Sequence, residues 1–151
     1  MANVRLGAKA VGSIVKIKVN GASKDFIVVQ QGNPNTSTYD SSCNGTWLLM
    51  KDIYTTSTFG NNNSYKDSSI HTYLNGTFYN LIDSNIRAAI KQVRIPYQNG
   101  TGSGGSLATG SNGLSTKVFL LSGYEVGWRP ATTAISRGRC EAGILWQQLR
   151  R

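Results

Sequence analysis

Few residues of this chain have the types and spacing that catalysis requires. His71 is the only histidine, and no second His, Cys or carboxylate lies at metal-ligand spacing from it, so we expect a surface or half-buried side chain and not a ligand. Asp40, Asp52 and Asp67 could in principle converge as acids for acid–base work, but each lies beside a turn or capping position, where Asp is expected anyway. These residues predict no metal site and no enzymatic activity.

A glycine-rich run at residues 100–105 has the glycine content of a phosphate-binding loop without its chemistry. No Lys-Ser or Lys-Thr pair follows it, and the strand-loop-helix context that creates an anion pocket is missing from the pattern. We therefore predict no nucleotide binding and no cofactor. The wider span, residues 99–113, is expected to be a long loop that is either functional or simply mobile.

Three polar loops are the stronger functional candidates: residues 33–45, 54–66 and 97–113. They combine Tyr, Ser, Thr, Asn and Gly, as recognition loops do, because Tyr supplies rigid contact area and the small polar residues supply adaptable hydrogen bonds. The alternative is that they are ordinary solvated connections. The predicted ligand contacts are Tyr39, Tyr54, Tyr65 and Tyr97.

The elements around these loops predict an α+β domain that begins with a β-hairpin. Apolar residues alternate with Lys16 and Lys18 before the turn Asn20-Gly21, and an apolar run, residues 26–29, follows. Residues 46–50 are predicted to form a strand buried on both faces, and residues 117–121 another strand.

Short helices are expected between these strands, packed on a mixed or antiparallel sheet. Asp67 or Ser68 can cap a first helix, which Asn75-Gly76 would end. Asp83 or Ser84 can cap a later one, in which Ile86, Ala89, Ile90 and Val93 follow helical spacing. The predicted core consists of Val15, Ile17, Phe26, Val28, Trp47, Leu49, Ile70, Leu74, Phe78, Leu81, Ile86, Ile90, Phe119 and Leu121.

Composition limits the remaining possibilities. The length of 151 residues fits one domain with a single core. The net charge of +9 could suggest nucleic-acid binding, but most cations are spread singly along the chain, which favours a solvated surface.

No signal peptide or membrane-spanning run is recognisable, so we expect a soluble protein with no membrane partner. Cys43 and Cys140 are expected to be reduced thiols.

Three segments carry a family resemblance: residues 46–51 (TWLLMK), 69–80 (SIHTYLNGTFYN) and 119–127 (FLLSGYEVG). Together they resemble the domain-of-unknown-function family 6273 of bacteria and their phages, over roughly Met1 to Trp128. The resemblance implies a phage or prophage tail-associated protein with a fold similar to C-type lectins and formylglycine-generating enzymes. The copper-binding cysteine pair of those enzymes has no counterpart here.

The chain departs from that family pattern after Trp128. Such domains are expected to continue into a Trp-rich half with motifs similar to WWLRSP and GVRPA, which are absent. Residues 129–151 instead contain five arginines against the single acid Glu141. We hypothesise that this stretch is an out-of-frame translation of the missing half, which would leave an incomplete domain at residues 1–128 followed by an Arg-rich tail.

Two functions of different classes follow as expectations. The first is a non-enzymatic phage or prophage tail-associated protein whose polar loops recognise a host-surface glycan or protein. The second is a purely structural virion or assembly subunit. In both cases we expect other virion or tail subunits as partners, homo-oligomerisation, and location in the virion or, before assembly, in the host cytoplasm. A basic nucleic-acid-binding protein ranks third.

Overall fold

The computed structural model describes residues 5–60, 64–99, 106–122 and 125, and the backbone of residues 145–149. Short 3-10 helices lie between the main elements. In chain order, the main elements are β1 (Ile14–Val19), β2 (Ala22–Gln31), β3 (Thr46–Met50), α1 (Ser69–Tyr73), a π-helical turn (Leu74–Phe78), α2 (Tyr79–Leu81), α3 (Ser84–Ala89), β4 (Val93–Ile95), β5 (Tyr97–Asn99), β6 (Ser106–Ala108), β7 (Leu114–Thr116), β8 (Val118–Leu120) and β9 (Leu145–Leu149).

The central sheet has five strands in the order β1-β2-β3-β9-β8, and every neighbouring pair is antiparallel. Two smaller antiparallel sheets pair β4 with β7 and β5 with β6. With the short helices, this arrangement confirms the α+β class. None of the helices in the described ranges is long and apolar enough to cross a membrane.

The N-terminal hairpin is confirmed. Asn20 and Gly21 have φ angles of 50° and 75°, as a two-residue turn with positive φ at both positions requires. The strands pair from Val19 opposite Ala22 to Ile14 opposite Ile27. An ion pair of 2.8 Å joins Lys16 to Asp25 across the hairpin on its exposed side.

The predicted strand at residues 46–50 is also confirmed, and it lies at the centre of the large sheet. It pairs with β2 on one side and with β9 on the other. Four of its five residues are buried, so both faces are covered. Leu48 is fully buried whereas Leu49 is only half-buried, which corrects the choice of Leu49 for the core.

The helical segment after Ser68 differs from the prediction. Ser68 is indeed the N-cap, since its Oγ accepts a hydrogen bond from the His71 amide. Asn75-Gly76 does not end the helix, however, because the chain passes through the π-helical turn and continues into α2. The Asn75 side chain bonds to the backbone of Lys117 and Val118, so this residue serves tertiary packing and not helix termination.

The later helix is shorter than its hydrophobic spacing suggested. Asp83 caps α3 by accepting a hydrogen bond from the Asn85 amide, and the helix ends at Ala89. Val93, predicted on its apolar face, instead begins β4 and is fully buried there. The predicted long loop at residues 97–113 also contains structure, because β5 and β6 pair across residues 100–105, which lie outside the described residues.

Two hydrophobic clusters form the core. The first lies between the hairpin and the helices. Its members from the predicted core are Ile17, Phe26, Val28, Leu74, Phe78 and Ile90, whereas Val15, Ile70, Leu81 and Ile86 pack against it only partly buried. The second surrounds Trp47 and Phe119. Sequence reasoning omitted several members of both clusters, namely Val19, Leu48, Met50, Ile82, Val118, Tyr39, Cys43, Tyr65, Val93, Ile95, Tyr97 and Leu114.

Candidate functional site

The three polar loops are anchored in the second hydrophobic cluster. Tyr39, Tyr65 and Tyr97, one from each loop, are only 6%, 3% and 7% exposed and belong to that cluster. Phe59 adds a second, partly buried contact from the middle loop. The tyrosines predicted to touch a ligand are therefore brought together, but three of the four rings face the interior.

Tyr39 joins the first loop to the segment after β8. Its ring stacks edge-on against Trp47, with 5.5 Å between centroids. Its hydroxyl donates a hydrogen bond to Oε1 of Glu125, whose Oε2 accepts bonds of 2.7 Å and 2.8 Å from the amide and the hydroxyl of Ser122. A carboxylate with several donors holds its position firmly, so this network fixes the base of the loop.

Tyr65 and Tyr54 have different surroundings. The Tyr65 hydroxyl accepts a 3.0 Å hydrogen bond from the Leu120 amide at the edge of β8, and its ring lies edge-on to the imidazole of His71. Tyr54 is half-buried in the first cluster, 5.1 Å from the ring centroid of Phe78. Tyr54 is thus separate from the cluster that contains the other three tyrosines.

The side chains that the loops expose are small and mostly polar. We define the loop surface as the exposed residues 34–37, 55–58 and 111–112. The first and third loops touch directly, because the Gly110 amide donates a 2.9 Å hydrogen bond to the Thr38 carbonyl. Within the first loop, the Asn33 Nδ2 donates hydrogen bonds to two backbone carbonyls, and the Oδ1 atoms of Asn33 and Asn35 each accept one from a backbone amide two residues later. The loop surface is thus mainly a set of hydroxyls and amides, and in the first and third loops hydrogen bonds brace the backbone that carries them.

The three acids considered for catalysis lie at caps, helix ends or bends and do not come together. Asp40 caps a 3-10 helix (Ser41–Cys43), and the hydrogen bonds from Ser42 lower the pKa of its carboxyl. Asp67 ends another 3-10 helix (Tyr65–Asp67), and Asp52 is exposed in a bend. No hydrogen bond or ion pair joins any two of the three. Within the described part of the chain, no group of three His, Cys, Asp or Glu residues could hold a metal ion.

Two further titratable groups are shifted by burial. Burial lowers the pKa of the half-buried His71, and the neighbouring charge of Asp67 opposes this shift only in part. Burial raises the pKa of the Cys43 thiol to about 11. That thiol donates a 3.2 Å hydrogen bond to the carbonyl of Arg94. A protonated, enclosed thiol is a poor nucleophile, so its surroundings are those of a packing residue.

Sequence reasoning did not predict the roles of two polar residues: Glu125, which holds Tyr39 of the first loop, and Asn75, which was expected only to end a helix. Both have partners remote in sequence: Glu125 bonds to Tyr39, and Asn75 bonds to the chain between β7 and β8. The available signal was their position inside the motifs 119–127 and 69–80, which carry the family resemblance.

The comparisons with known proteins identify the family and nothing more specific. No curated protein and no solved structure matches the chain. A family model described as "Domain of unknown function (DUF6273)" matches residues 44–148. This match extends beyond Trp128 and includes β9, which lies between β3 and β8 in the central sheet; an out-of-frame origin of residues 129–151 stays a prediction for the coding DNA. Because the match covers more than half of its length, the chain belongs to the DUF6273 family.

Proposed function

We propose that the chain is a non-enzymatic recognition module of the phage or prophage tail-associated type, which binds a host-surface glycan or protein through the loop surface. The single observation that carries this proposal is the anchoring of three polar loops in one hydrophobic cluster. Buried Tyr39, Tyr65 and Tyr97 fix the loops, and the exposed residues between the anchors are free to vary in hydrogen-bonding pattern.

A glycan is the ligand class that suits this surface best. Hydroxyl and amide side chains can donate and accept hydrogen bonds, as sugar hydroxyls do. A backbone braced by Asn33, Asn35 and the contact between Gly110 and Thr38 would lose little conformational entropy on binding. We further propose a display fold similar to C-type lectins, with the protein located in the virion or, before assembly, in the host cytoplasm.

The test compares loop-surface variants with matched controls. The double variant Thr36→Ala/Asn112→Ala removes exposed polar groups from two touching loops, whereas Ser23→Ala/Asn85→Ala removes similar exposed groups from β2 and α3. On a glycan array, we expect the first variant to lose binding at least about tenfold, from two hydrogen bonds of about 1 kcal/mol each. We expect the control to bind like the wild-type protein.

Alanine substitution of the tyrosines would be a weaker test. Replacing a buried ring by Ala removes about 3–5 kcal/mol of stability, so lost binding would report unfolding. Equal binding by the loop variant and the control would refute the loop surface as the binding site. Enzymatic conversion of a bound glycan would refute the non-enzymatic part.

A purely structural virion or assembly subunit is the second candidate, favoured by the exposed edge of β1. Among the described residues, its outer edge bonds to the helical segment only near its C-terminal end, at Lys18 and at Asn20 just after the strand. At the other end Val11 and Ile14 are 59% and 46% exposed. Such an edge can accept a strand from another subunit. A homo-oligomer that dissociates in Ile14→Lys, with no glycan binding, would favour this candidate over the first.

A further inference from the structure

One exposed cation lies where the first and third loops meet. Arg94 is the middle residue of β4, between Val93 and Ile95, which are both fully buried in the second cluster. Because successive side chains of a strand point to opposite faces, Arg94 lies on the outer face of β4, and it is exposed there. The residues of the loop surface itself are all uncharged, so a charge beside them decides which ligands they attract.

Hydrogen bonds from both loops hold Arg94 in place. Its amide donates a 3.0 Å hydrogen bond to Oγ of Ser42, and its carbonyl accepts the bond from the Cys43 thiol, so its backbone is fixed by the first loop. Its Nη1 donates a 2.9 Å bond to the carbonyl of Ser111, which belongs to the loop surface. A guanidinium that is already positioned loses less conformational entropy when it binds a ligand.

Most donors of this guanidinium are available to a ligand. A guanidinium has five N–H donors, and within the described part of the chain the bond to Ser111 is the only one that the Arg94 side chain makes. Because the residue is already exposed, an acceptor can reach the other donors without any movement of the side chain.

Asp40 is the acid that interacts with this charge. Hydrogen bonds from Ser42 and, to a smaller extent, the charge of Arg94 lower the pKa of the Asp40 carboxyl. The Asp40 Oδ1 accepts from the Ser42 amide, and the two charges do not form an ion pair, since the one ion pair among the described residues joins Lys16 and Asp25. Arg94 is thus weakly balanced by Asp40 and can compensate at most one further negative charge.

We propose that Arg94 binds a carboxylate of the ligand and thereby makes acidic glycans the preferred partners of the loop surface. The planar fork of a guanidinium matches the two oxygens of a carboxylate, which carries a single charge. A phosphate monoester would bring about −1.5 to −2 charges at pH 7, more than Arg94 can compensate. The hydroxyls and amides beside it would bond to the sugar hydroxyls. This role of Arg94 rests on the glycan recognition proposed above.

The test applies the full chain to two copies of one glycan array, of which the second has its carboxylates converted to methyl esters. Esterification removes the charge and leaves the sugar hydroxyls unchanged. Arg94→Met keeps an aliphatic stem and removes the guanidinium, and Arg94→Lys keeps the charge without the fork. Lys18→Met, at an exposed cation of β1, removes the same net charge elsewhere and is the matched control. Thermal melts establish that all variants are folded.

We expect the wild-type protein and Lys18→Met to bind glycans that carry carboxylates. Esterification of the glycans and the variant Arg94→Met should each weaken this binding about tenfold or more, because charge-assisted hydrogen bonds are lost, and Arg94→Lys should lie between them and the wild-type protein. Equal binding to both arrays, wild-type binding by folded Arg94→Met, or binding to sulfated glycans alone would overturn the carboxylate site and leave glycan recognition intact. Binding of no glycan on either array would refute glycan recognition and the carboxylate site together.

Discussion

Asn75 should contribute more to stability than any exposed polar residue of the chain. Its Oδ1 accepts hydrogen bonds from the Thr116 hydroxyl and the amides of Lys117 and Val118, and its Nδ2 donates to the carbonyls of Val118 and His71. One side chain thus satisfies the outer edge of β8 and joins it to the π-helical turn.

Asn75→Ala would leave the amide of the fully buried Val118 without this partner, at a cost of about 1–3 kcal/mol. The half-buried amide of Lys117 adds a smaller cost. The single hydroxyl hydrogen of Thr116, no longer shared with the Asn75 Oδ1, can bond to the Val118 carbonyl 3.0 Å away. Alanine recovers about 0.5 kcal/mol of helix propensity. We therefore expect the free energy of unfolding to fall by about 1–3 kcal/mol.

Urea unfolding followed by circular dichroism measures this loss, with Asn85→Ala as the control. Asn85 is exposed in α3, and its replacement should change the free energy of unfolding by no more than about 0.5 kcal/mol. With an m-value of about 2 kcal/mol/M, Asn75→Ala should lower the midpoint by about 0.5–1.5 M. A shift as small as that of the control would refute the assignment of Asn75 as the link between helix and sheet.

Three other predictions follow from local surroundings. A Cβ on Gly113 would lie 2.7 Å from the Ile95 carbonyl oxygen, so Gly113→Ala should lower the free energy of unfolding by about 1–3 kcal/mol. A Cβ on Gly76 would meet nothing within 4 Å, so the control Gly76→Ala should be neutral or stabilising in thermal melts. The folded state disfavours charged His71, so its contribution to the free energy of unfolding should be fully present above the unfolded pKa of about 6.5. That contribution should be lost as the pH drops through the lower folded pKa. NMR titration of this single imidazole measures the folded pKa, and a value above that of the unfolded chain would contradict the prediction. The folded state likewise favours protonated Cys43, with a pKa of about 11, so the free energy of unfolding should fall between about pH 9 and 11. It should fall less in Cys43→Ala. Thiol labelling in a Cys140→Ser background should be faster after unfolding than before.

Local signals in the sequence were sufficient for the hairpin and the central strand. Asn20-Gly21 specifies a tight turn, and alternation around Lys16 and Lys18 sets the faces of β1. In β3 both faces are buried, so no alternation distinguishes Leu48 from Leu49, and the choice between them depended on neighbours that the sequence does not show.

The errors in the helical region have a tertiary cause. Gly76 costs about 1 kcal/mol in a helix, but the hydrogen bonds of Asn75 to β8 outweigh this cost and keep the chain helical. Val93 satisfied helical spacing after Ile90, yet it also alternates with Ile95, and pairing with β7 decided in favour of a strand.

The loop sequences alone could not predict whether the tyrosine rings are buried or exposed. Tyr can display its ring or bury it with the hydroxyl satisfied, and the choice depends on a remote partner. Tyr39 bonds to Glu125 and Tyr65 bonds to the Leu120 amide, partners that lie 86 and 55 residues away in the sequence. Loop composition therefore identified the candidate surface but not which of its residues are exposed.

Binding of the purified full chain to a panel of bacterial strains tests the central claim most directly. The wild-type protein, the loop variant Thr36→Ala/Asn112→Ala and the control Ser23→Ala/Asn85→Ala would be labelled and compared by flow cytometry, after thermal melts establish that all three are folded. Recognition by the loop surface predicts saturable binding to some strains by the wild-type protein and the control, and loss of that binding in the loop variant. Equal binding by all three folded proteins, or binding by none of them to any strain, would contradict it.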